Sequence, residues 1–254
     1  MNATIHSELS AKNWGGSPEI YYPIHDFMDR SKEVEPTNKH RFFTHQMWFV
    51  KRVIIPIFGH SIKNSENRNV NLKDLLETDH LLADFRGKFI PTINDYLATV
   101  KDQEDDEEKL MTFRKENQYL FNIPKVRELL DSPIGISGRL VSLYLTYNSW
   151  FLVEILPKIF PEISIYIKNF SIAPDGGIMN RITYQSWMNG DGLPPSMNST
   201  FPKIEPFAKI SEEIQLIPES EQIFIDGARE QINRQKEMLT KTYDGKRGLP
   251  EMID

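Results

Sequence analysis

Residues 21–62 read YYPIHDFMDRSKEVEPTNKHRFFTHQMWFVKRVIIPIFGHSI, and their pattern decides the fold class. Apolar and aromatic side chains recur at helical spacing on both sides of Pro36, which cannot continue a helix. Thr37 or Asn38 can cap the second of the two segments. The stretch therefore predicts two helices, at about residues 18–32 and 38–55.

The same signals predict a mainly α-helical fold for the rest of the chain. Asn71 is a plausible helix cap, and Thr92 with Asp95 resembles a capping box. Turn-forming residues fill positions 61–71, where a small hairpin is expected. Further helices are expected at 72–85, 110–121, 124–131, 137–156 and 220–241, a hairpin-like arm at 162–190 and a long loop at 189–206. We expect an irregular helical domain with a small β-hairpin arm in its C-terminal half.

Composition shifts divide the chain into four predicted parts. These are a leader at 1–18, a His/Asp-rich helical module at 19–100, an acidic helix or linker at 101–118, and a C-terminal helical region at 119–254 that includes the hairpin and loop at 162–206. A chain of 254 residues with 39% hydrophobic residues can bury a substantial core, as one large domain or two small ones.

Charge and cysteine content exclude several classes of protein. The chain has no cysteine, so disulfides, thiolate metal sites and a cysteine nucleophile are excluded. A formal charge of −6 argues against a general nucleic-acid binder. No basic region followed by an apolar one opens the sequence, and the apolar run at 140–156 is too short to cross a bilayer. We expect a cytoplasmic protein that does not bind membranes.

The histidines are concentrated at one end of the sequence. All six lie in the first 80 positions, and five of them share a 56-residue window. The five are His25, His40, His45, His60 and His80, with Asp26, Asp29 and Asp84 close by. Because imidazole and carboxylate groups bind metals and transfer protons near neutral pH, this window is the expected functional region.

Helical spacing groups these residues into a predicted metal site. His25 and Asp29 are four residues apart, as are His80 and Asp84, so each pair lies on one face of a predicted helix. If the two faces converge, these four side chains can bind a divalent metal such as Mn²⁺, Zn²⁺, Fe²⁺ or Mg²⁺. His40 and His45 should project about 140° apart on a regular helix, so one of them is expected outside the centre of the site.

Two function hypotheses follow from this cluster. In the first, the metal activates water to hydrolyse a phosphate ester, His45 acts as acid or base, and Lys32 and Arg41 bind the anion. The substrate would then be a small phosphorylated ligand, for example a nucleotide. In the second, the cluster is a buried polar network in a non-catalytic structural or interaction protein.

The polar pattern of residues 19–97 resembles an uncharacterised family of small bacterial and phage proteins with no assigned activity. The matching positions are His25, Asp26, Asp29, Lys32, His40, Arg41, His45, Phe58, Gly59, His80, Asp84, Gly87, Ile90, Pro91, Thr92 and Asp95. The resemblance implies that these are the positions that members of the family share. It also implies that the protein could be encoded by a phage. His60 lies outside the pattern and is expected on the surface.

The apolar segment at 137–156 predicts a protein interface. Tyr144, Tyr147, Trp150 and Phe151 would leave a single helix apolar on nearly every side. Such a helix must be covered either by the chain's own later segments or by a partner. A homo-oligomer or a protein partner bound through this segment is the resulting expectation.

Overall fold

The computed structural model of the protein describes residues 1–87, 89–163, 178, 181 and 182. These residues are mainly helical, as predicted, with one small antiparallel hairpin. The α-helices are α1 Ala3–Trp14, α2 Pro18–Asp29, α3 Arg41–Thr44, α4 Met47–Phe49, α5 Ile55–Phe58, α6 Leu72–Leu76, α7 Ile93–Leu97, α8 Asp106–Glu116, α9 Gln118–Phe121, α10 Pro124–Ser137 and α11 Leu156–Ile159. The 3₁₀ turns are Arg30–Glu33, Asn38–His40 and Leu140–Leu145, and the π-helical turns are Val50–Ile54, Glu77–Leu82 and Phe151–Ile155. The predicted arm at 162–190, the loop at 189–206 and the helix at 220–241 fall almost wholly outside the described residues.

The first 18 residues, predicted as a leader, contain the well-formed helix α1. The side chain of Asn2 caps this helix by accepting a hydrogen bond from the backbone N–H of Ile5 at 3.0 Å. A turn at Gly15 and Gly16 then leads into α2, against which α1 packs. The buried face of α1 is largely polar, so the helix lacks the apolar periodicity on which the sequence prediction relied.

The predicted hairpin at 61–71 is present and leads directly into α6. Strand β1, Ser61–Lys63, pairs with β2, Asn69–Asn71, with Ile62 opposite Val70. The Asn71 side chain then caps α6 by accepting hydrogen bonds from the backbone N–H groups of Lys73 and Asp74, at 2.9 and 3.2 Å. Both the hairpin and the cap were predicted from turn and cap chemistry.

The helix predicted over residues 38–55 is interrupted at His45. His45 has φ −91° and ψ 61°, and Gln46 is extended, so the chain leaves helical geometry before α4 begins. The angular estimate for His40 and His45 therefore does not apply, because it assumed one regular helix. Both imidazoles turn toward α2 instead.

The helix predicted over residues 72–85 continues α6 through a π-helical turn, Glu77–Leu82. This turn carries Asp79 and His80, both of them buried. Such wide turns occur mostly as short interruptions of α-helices and are frequent at functional sites.

The prediction of one helix over residues 137–156 is wrong. Helix α10 ends at Gly138, which has φ 67°, and a 3₁₀ turn follows. A new helical segment then starts where Asn148 accepts a hydrogen bond from the backbone N–H of Phe151 at 2.8 Å. Tyr147 and Trp150 are already buried within the chain, whereas Val153 is 45% exposed. Association through this segment stays a prediction.

One apolar core extends across both halves of the described chain. Trp48 donates a hydrogen bond to Ser132 at 2.8 Å, and the rings of Phe43 and Trp150 lie 5.8 Å apart. The predicted capping box of Thr92 and Asp95 is present at the start of α7. No helix within the described ranges combines the length and the apolarity needed to span a membrane.

The Gly16 turn gives a test of how α1 is positioned. Gly16 has φ 79°, and a Cβ there would lie 2.9 Å from the Cβ of Asn64. Gly59 has φ 88° but space for a methyl group, the nearest atom being 3.9 Å away. We expect Gly16→Ala and Gly59→Ala both to lower the free energy of unfolding by at least about 1 kcal/mol through backbone strain.

Gly16→Ala should cost more than Gly59→Ala, because it adds a steric contact with a buried loop residue. Urea unfolding of the two variants measures the difference. Equal losses would show that the loop around Asn64 yields freely and does not fix the start of α2.

Candidate metal centre

Five histidines and two aspartates converge in the interior of the N-terminal half. Helix α1 provides His6, α2 provides His25 and Asp29, the segment around α3 provides His40 and His45, and the chain after α6 provides His80 and Asp84. All seven residues are at most 9% exposed. The four predicted metal ligands His25, Asp29, His80 and Asp84 are thus brought together, and His60 is exposed, as predicted.

Three of these side chains, Asp29, His45 and His80, have donor atoms within 4.8 Å of one another, and Asp84 contacts one of the three. The Nε2 atom of His45 lies 3.0 Å from Asp84 Oδ2 and 3.1 Å from His80 Nε2. Asp29 Oδ1 lies 3.5 Å from His45 Nε2 and 4.0 Å from His80 Nε2. Two donors bonded to a common metal at about 2.1 Å are about 3.0 to 3.4 Å apart at octahedral or tetrahedral angles. We call Asp29, His45, His80 and Asp84 the inner group.

His25 approaches His80 from the other side of the ring. Its Nδ1 atom lies 3.0 Å from Nδ1 of His80, whereas Asp29 faces Nε2 of the same ring. The four ligands predicted from the sequence therefore do not surround a single point. His45, predicted as an acid or base, takes the place of His25 in the inner group.

Hydrogen bonds to Ser10 fix the tautomer of His25. The Ser10 hydroxyl donates to Asp79 Oδ2 at 2.9 Å, and its oxygen lies 2.9 Å from Nε2 of His25. Because a hydroxyl has only one hydrogen, Ser10 must accept from His25 Nε2–H. The unprotonated Nδ1 of His25 then faces His80.

A similar chain orients His45. Ser31 donates to the carbonyl of His40 at 3.2 Å, so the Thr44 hydroxyl, 3.0 Å away, donates to the Ser31 oxygen. Thr44 can then only accept from Nδ1–H of His45, at 2.9 Å. Nε2 of His45 therefore faces the inner group, where it offers a lone pair when the ring is neutral.

Backbone carbonyls fix the tautomers of His6 and His40. Nδ1 of His6 lies 2.5 Å from the carbonyl oxygen of Asp79, and Nδ1 of His40 lies 2.7 Å from that of Thr37. A carbonyl only accepts, so both Nδ1 atoms carry the proton. The buried Nε2 atoms are left without a hydrogen bond in the described part of the chain.

The cluster as a whole has more acceptors than protons. His80 has unprotonated nitrogens near both its ring nitrogens, yet a neutral imidazole has one proton to donate. Asp29 Oδ1 and Asp84 Oδ2 accept no aligned hydrogen bond among the described residues, although each lies beside a protein cation, Lys32 or Arg41. Converging lone pairs of this kind, with outward N–H groups held by carbonyls and hydroxyls, are typical of histidines prepared to bind a metal.

The protonation states also suit a metal. Burial lowers the pKa of His25 and of His40 to about 3, and it lowers the pKa of His80 well below its usual value. Burial opposes ionisation of Asp29, but contacts with His45 and Lys32 outweigh it and lower the pKa to about 2. Burial likewise opposes ionisation of Asp84, but contacts with His45 and His6 outweigh it and hold its pKa well below the usual range. Neutral imidazoles and ionised carboxylates are the states that metals require.

The two predicted anion-binding residues contact the carboxylates of the inner group. Lys32 Nζ lies 2.7 Å from Asp29 Oδ1, and the Lys32 side chain is 38% exposed. Arg41 is buried, with Nη2 3.2 Å from Asp84 Oδ2 and its guanidinium group over the ring of Phe85. Lys32 is thus the more accessible of the two.

A cavity of about 360 Å³ gives access to one edge of the cluster. It is bounded by the start of α1 and by the end of α2 with the turn that follows. Its lining includes Asn2, Ala3, Thr4, Tyr22, Asp26, Asp29, Arg30, Lys32 and Glu33. A cavity lined by charges of both signs suits a polar ligand.

His6, Ser10 and Asp79 are the members of this region that the sequence reading missed. His6, Ser10 and Trp14 recur every four residues, and the last two side chains both donate to Asp79. This spacing is a helical signal in polar residues. The signal is present in the sequence, but a search for apolar periodicity does not detect it.

Stability of the metal-free protein should fall as the pH drops from 7.5 to 5.5. The unfolded chain takes up protons on histidine near pH 6.5, whereas buried His25 and His40, with pKa values of about 3, stay neutral in the folded state. The expected loss is about 1 kcal/mol per histidine over this interval. Urea unfolding after chelator treatment measures it.

The variants His40→Gln and His60→Gln provide the comparison. Removing buried His40 should make the pH dependence shallower, and removing exposed His60 should leave it nearly unchanged. Stability that rises toward pH 5.5 would mean that the buried imidazoles are protonated partners of the aspartates, which would contradict the tautomers derived above.

Comparison with known proteins gives one match. No curated protein and no solved structure is significantly similar to the chain. Residues 1–105 match a family described as a domain of unknown function (DUF6915), a range that contains every residue of the cluster. The N-terminal part of the chain, metal-ligand candidates included, is therefore similar to an uncharacterised family.

Proposed function

We propose that the protein is a metal-dependent hydrolase of a phosphoester and that the inner group binds its metal. The observation that carries this proposal is the convergence of Asp29, His45 and His80, whose donor atoms lie within 4.8 Å of one another, with Asp84 3.0 Å from His45. His45 and His80 meet through their Nε2 atoms in the buried interior, where ring nitrogens without a hydrogen-bond donor cost free energy unless a cation binds them.

The donor set favours a transition metal over Mg²⁺. Two imidazoles and two carboxylates suit Zn²⁺, Mn²⁺ or Fe²⁺, whereas Mg²⁺ prefers oxygen ligands and retains several waters. A metal bound here would lower the pKa of a coordinated water and so supply a hydroxide nucleophile near neutral pH.

An anionic substrate would meet two cations in the cavity, Lys32 and Arg30. The carboxylates of Asp26, Asp29 and Glu33 line it as well, so a bound metal would have to supply further positive charge. The first turn of the 12-residue helix α1 adds the positive end of a helix dipole. In this assignment Lys32 binds a phosphate oxygen, and buried Arg41 holds Asp84 in place.

The non-catalytic reading also has an observation in its favour. The carboxylates of the inner group already contact protein cations, since Asp84 lies 2.6 Å from the Met1 nitrogen and 3.2 Å from Arg41. Asp29 contacts Lys32 at 2.7 Å. In this second candidate function the cluster is a polar network that fixes α1, α2 and the helix after the hairpin.

Metal content of the Asp84→Asn variant separates the two proposals. The amide retains the shape of the side chain but loses its charge, so a ligand role predicts at least a tenfold loss of bound metal. Asp106→Asn is the matched control, because Asp106 is a buried carboxylate paired with Arg181 outside the cluster. It should lose stability and keep the metal.

The measurement is elemental analysis of protein purified without chelator, together with thermal melting before and after addition of Zn²⁺ or Mn²⁺. A wild-type protein that carries no metal and whose melting temperature does not respond to either ion would support the polar network and end the hydrolase proposal.

Lys32→Gln tests the substrate class. Loss of the ammonium group should raise KM for p-nitrophenyl phosphate or its bis-ester about tenfold, the effect of losing roughly 1.4 kcal/mol of binding free energy, with metal content unchanged. Lys115→Gln is the control, since Lys115 is exposed on α8. Equal KM values in both variants would remove Lys32 from the substrate site.

A further inference from the structure

We propose that the cluster binds a second divalent metal on the far side of His80, held by His6, His25 and His80, with Asp84 shared between the two sites. This inference rests on the proposed function, because it assumes that the inner group binds the first metal. It assigns a role to His6 and His25, which the first site leaves unused.

The distances between the donor atoms define the second site. The ligand nitrogens of His6, His25 and His80 all lie within 4.8 Å of one another, and all three side chains are fully buried. Two donors opposite each other on one metal are about 4.2 Å apart, so the distances need to change by only a few tenths of an ångström. The rings of His6 and His80 are stacked, with centroids 4.1 Å apart and an interplanar angle of 24°, so a common metal also requires the His6 ring to tilt.

Hydrogen bonds to the outer nitrogens of His25 and His6 leave their other ring nitrogens available to a metal. Nδ1 of His25 is unprotonated, because its Nε2–H is held by Ser10, and it faces Nδ1 of His80 at 3.0 Å. In a neutral His6 ring, Nε2 has no proton, because Nδ1 donates to the Asp79 carbonyl, and this Nε2 lies 3.2 Å from Asp84 Oδ1. These atoms form a second set of acceptors that lack donors.

Two side chains present one donor atom to each site. Asp84 directs Oδ2 toward His45 and Oδ1 toward His6, although Oδ1 also contacts the Met1 nitrogen. His80 directs Nε2 toward His45 and Nδ1 toward His25. If each nitrogen of His80 held a metal, the ring would have to give up its single proton to the solvent.

Asp79 supports the second site as a positioning residue. Its carbonyl oxygen holds Nδ1–H of His6, and its carboxylate accepts from Ser10, which in turn holds His25. Asn13 and Trp14 donate to the same carboxylate, each at 2.7 Å. Helix α1 is thus hydrogen-bonded to Asp79, the residue that orients both His6 and His25.

A second metal would assist hydrolysis of the phosphoester. In two-metal sites one ion holds the attacking water while the other stabilises the leaving oxygen of an in-line displacement. The bond from phosphorus to the leaving alkoxide breaks as the bond to hydroxide forms, and the alkoxide takes a proton from solvent. Two metals on either side of His80, with Asp84 between His6 and His45, would suit that division of roles.

Zinc stoichiometry tests the second site. Metal-free protein is equilibrated with excess Zn²⁺, desalted and analysed for zinc per chain. We expect two zinc ions in the wild-type protein, one in His6→Gln, and two in the control His60→Gln. Binding should also release more protons in the wild type than in His6→Gln. Thermal melting confirms folding, and Ser10→Ala, which leaves all histidines in place, should weaken only the second zinc.

The outcomes separate the two proposals. One zinc in the wild type, retained in His6→Gln and lost in Asp29→Asn, overturns the second site and leaves the first. Two zinc ions in folded His6→Gln also overturn it. No zinc in the wild type overturns both.

Discussion

The arrangement of the N-terminal half depends on His80, whose neutral ring has one proton for two neighbouring imidazole nitrogens. The ring lies between two imidazoles whose outward N–H groups are already committed to Ser10 and Thr44. Each of these commitments comes from a different element of the chain, so the arrangement holds only if α1, α2, the segment around α3 and the helix after the hairpin are all in place. The polar cluster thereby determines how these elements are oriented, while the apolar core provides most of the free energy of folding.

This division of roles explains why the interior of the protein tolerates so many buried polar groups. Burial lowers the pKa of an imidazole, so the ring stays neutral, whereas an ionised carboxylate is stable in the interior only beside a positive charge. Lys32 and Arg41 provide it at the rim. The cluster is therefore neutral enough to be buried, and its lone pairs stay available for a cation.

The mainly helical fold, the hairpin at 61–71 and the caps at Asn71 and Thr92 could be predicted because their signals are local. The four predicted ligands also lie close together. Within each helix the i, i+4 spacing places the His and Asp on one face, and the two faces pack against each other. What could not be predicted depended on tertiary contacts. The break at His45 carries no proline or glycine, and which nitrogen of His80 each neighbour faces depends on hydrogen bonds from distant residues. His6 was missed because its helix buries a polar face.

The π-helical turn Glu77–Leu82 has a consequence for how this protein tolerates insertion and deletion. A π turn holds one residue more than the α-helical turn it replaces, and that extra residue sets the angular offset between Asp79, which faces α1, and Asp84, which faces Arg41. Because the wider turn absorbs the extra residue locally, deleting one residue would let it close as an α-helical turn with the flanking segments nearly in place. The change would fall on the side chains within the turn, Asp79 and His80, so the length of this segment matters to the cluster as much as its residue identities do.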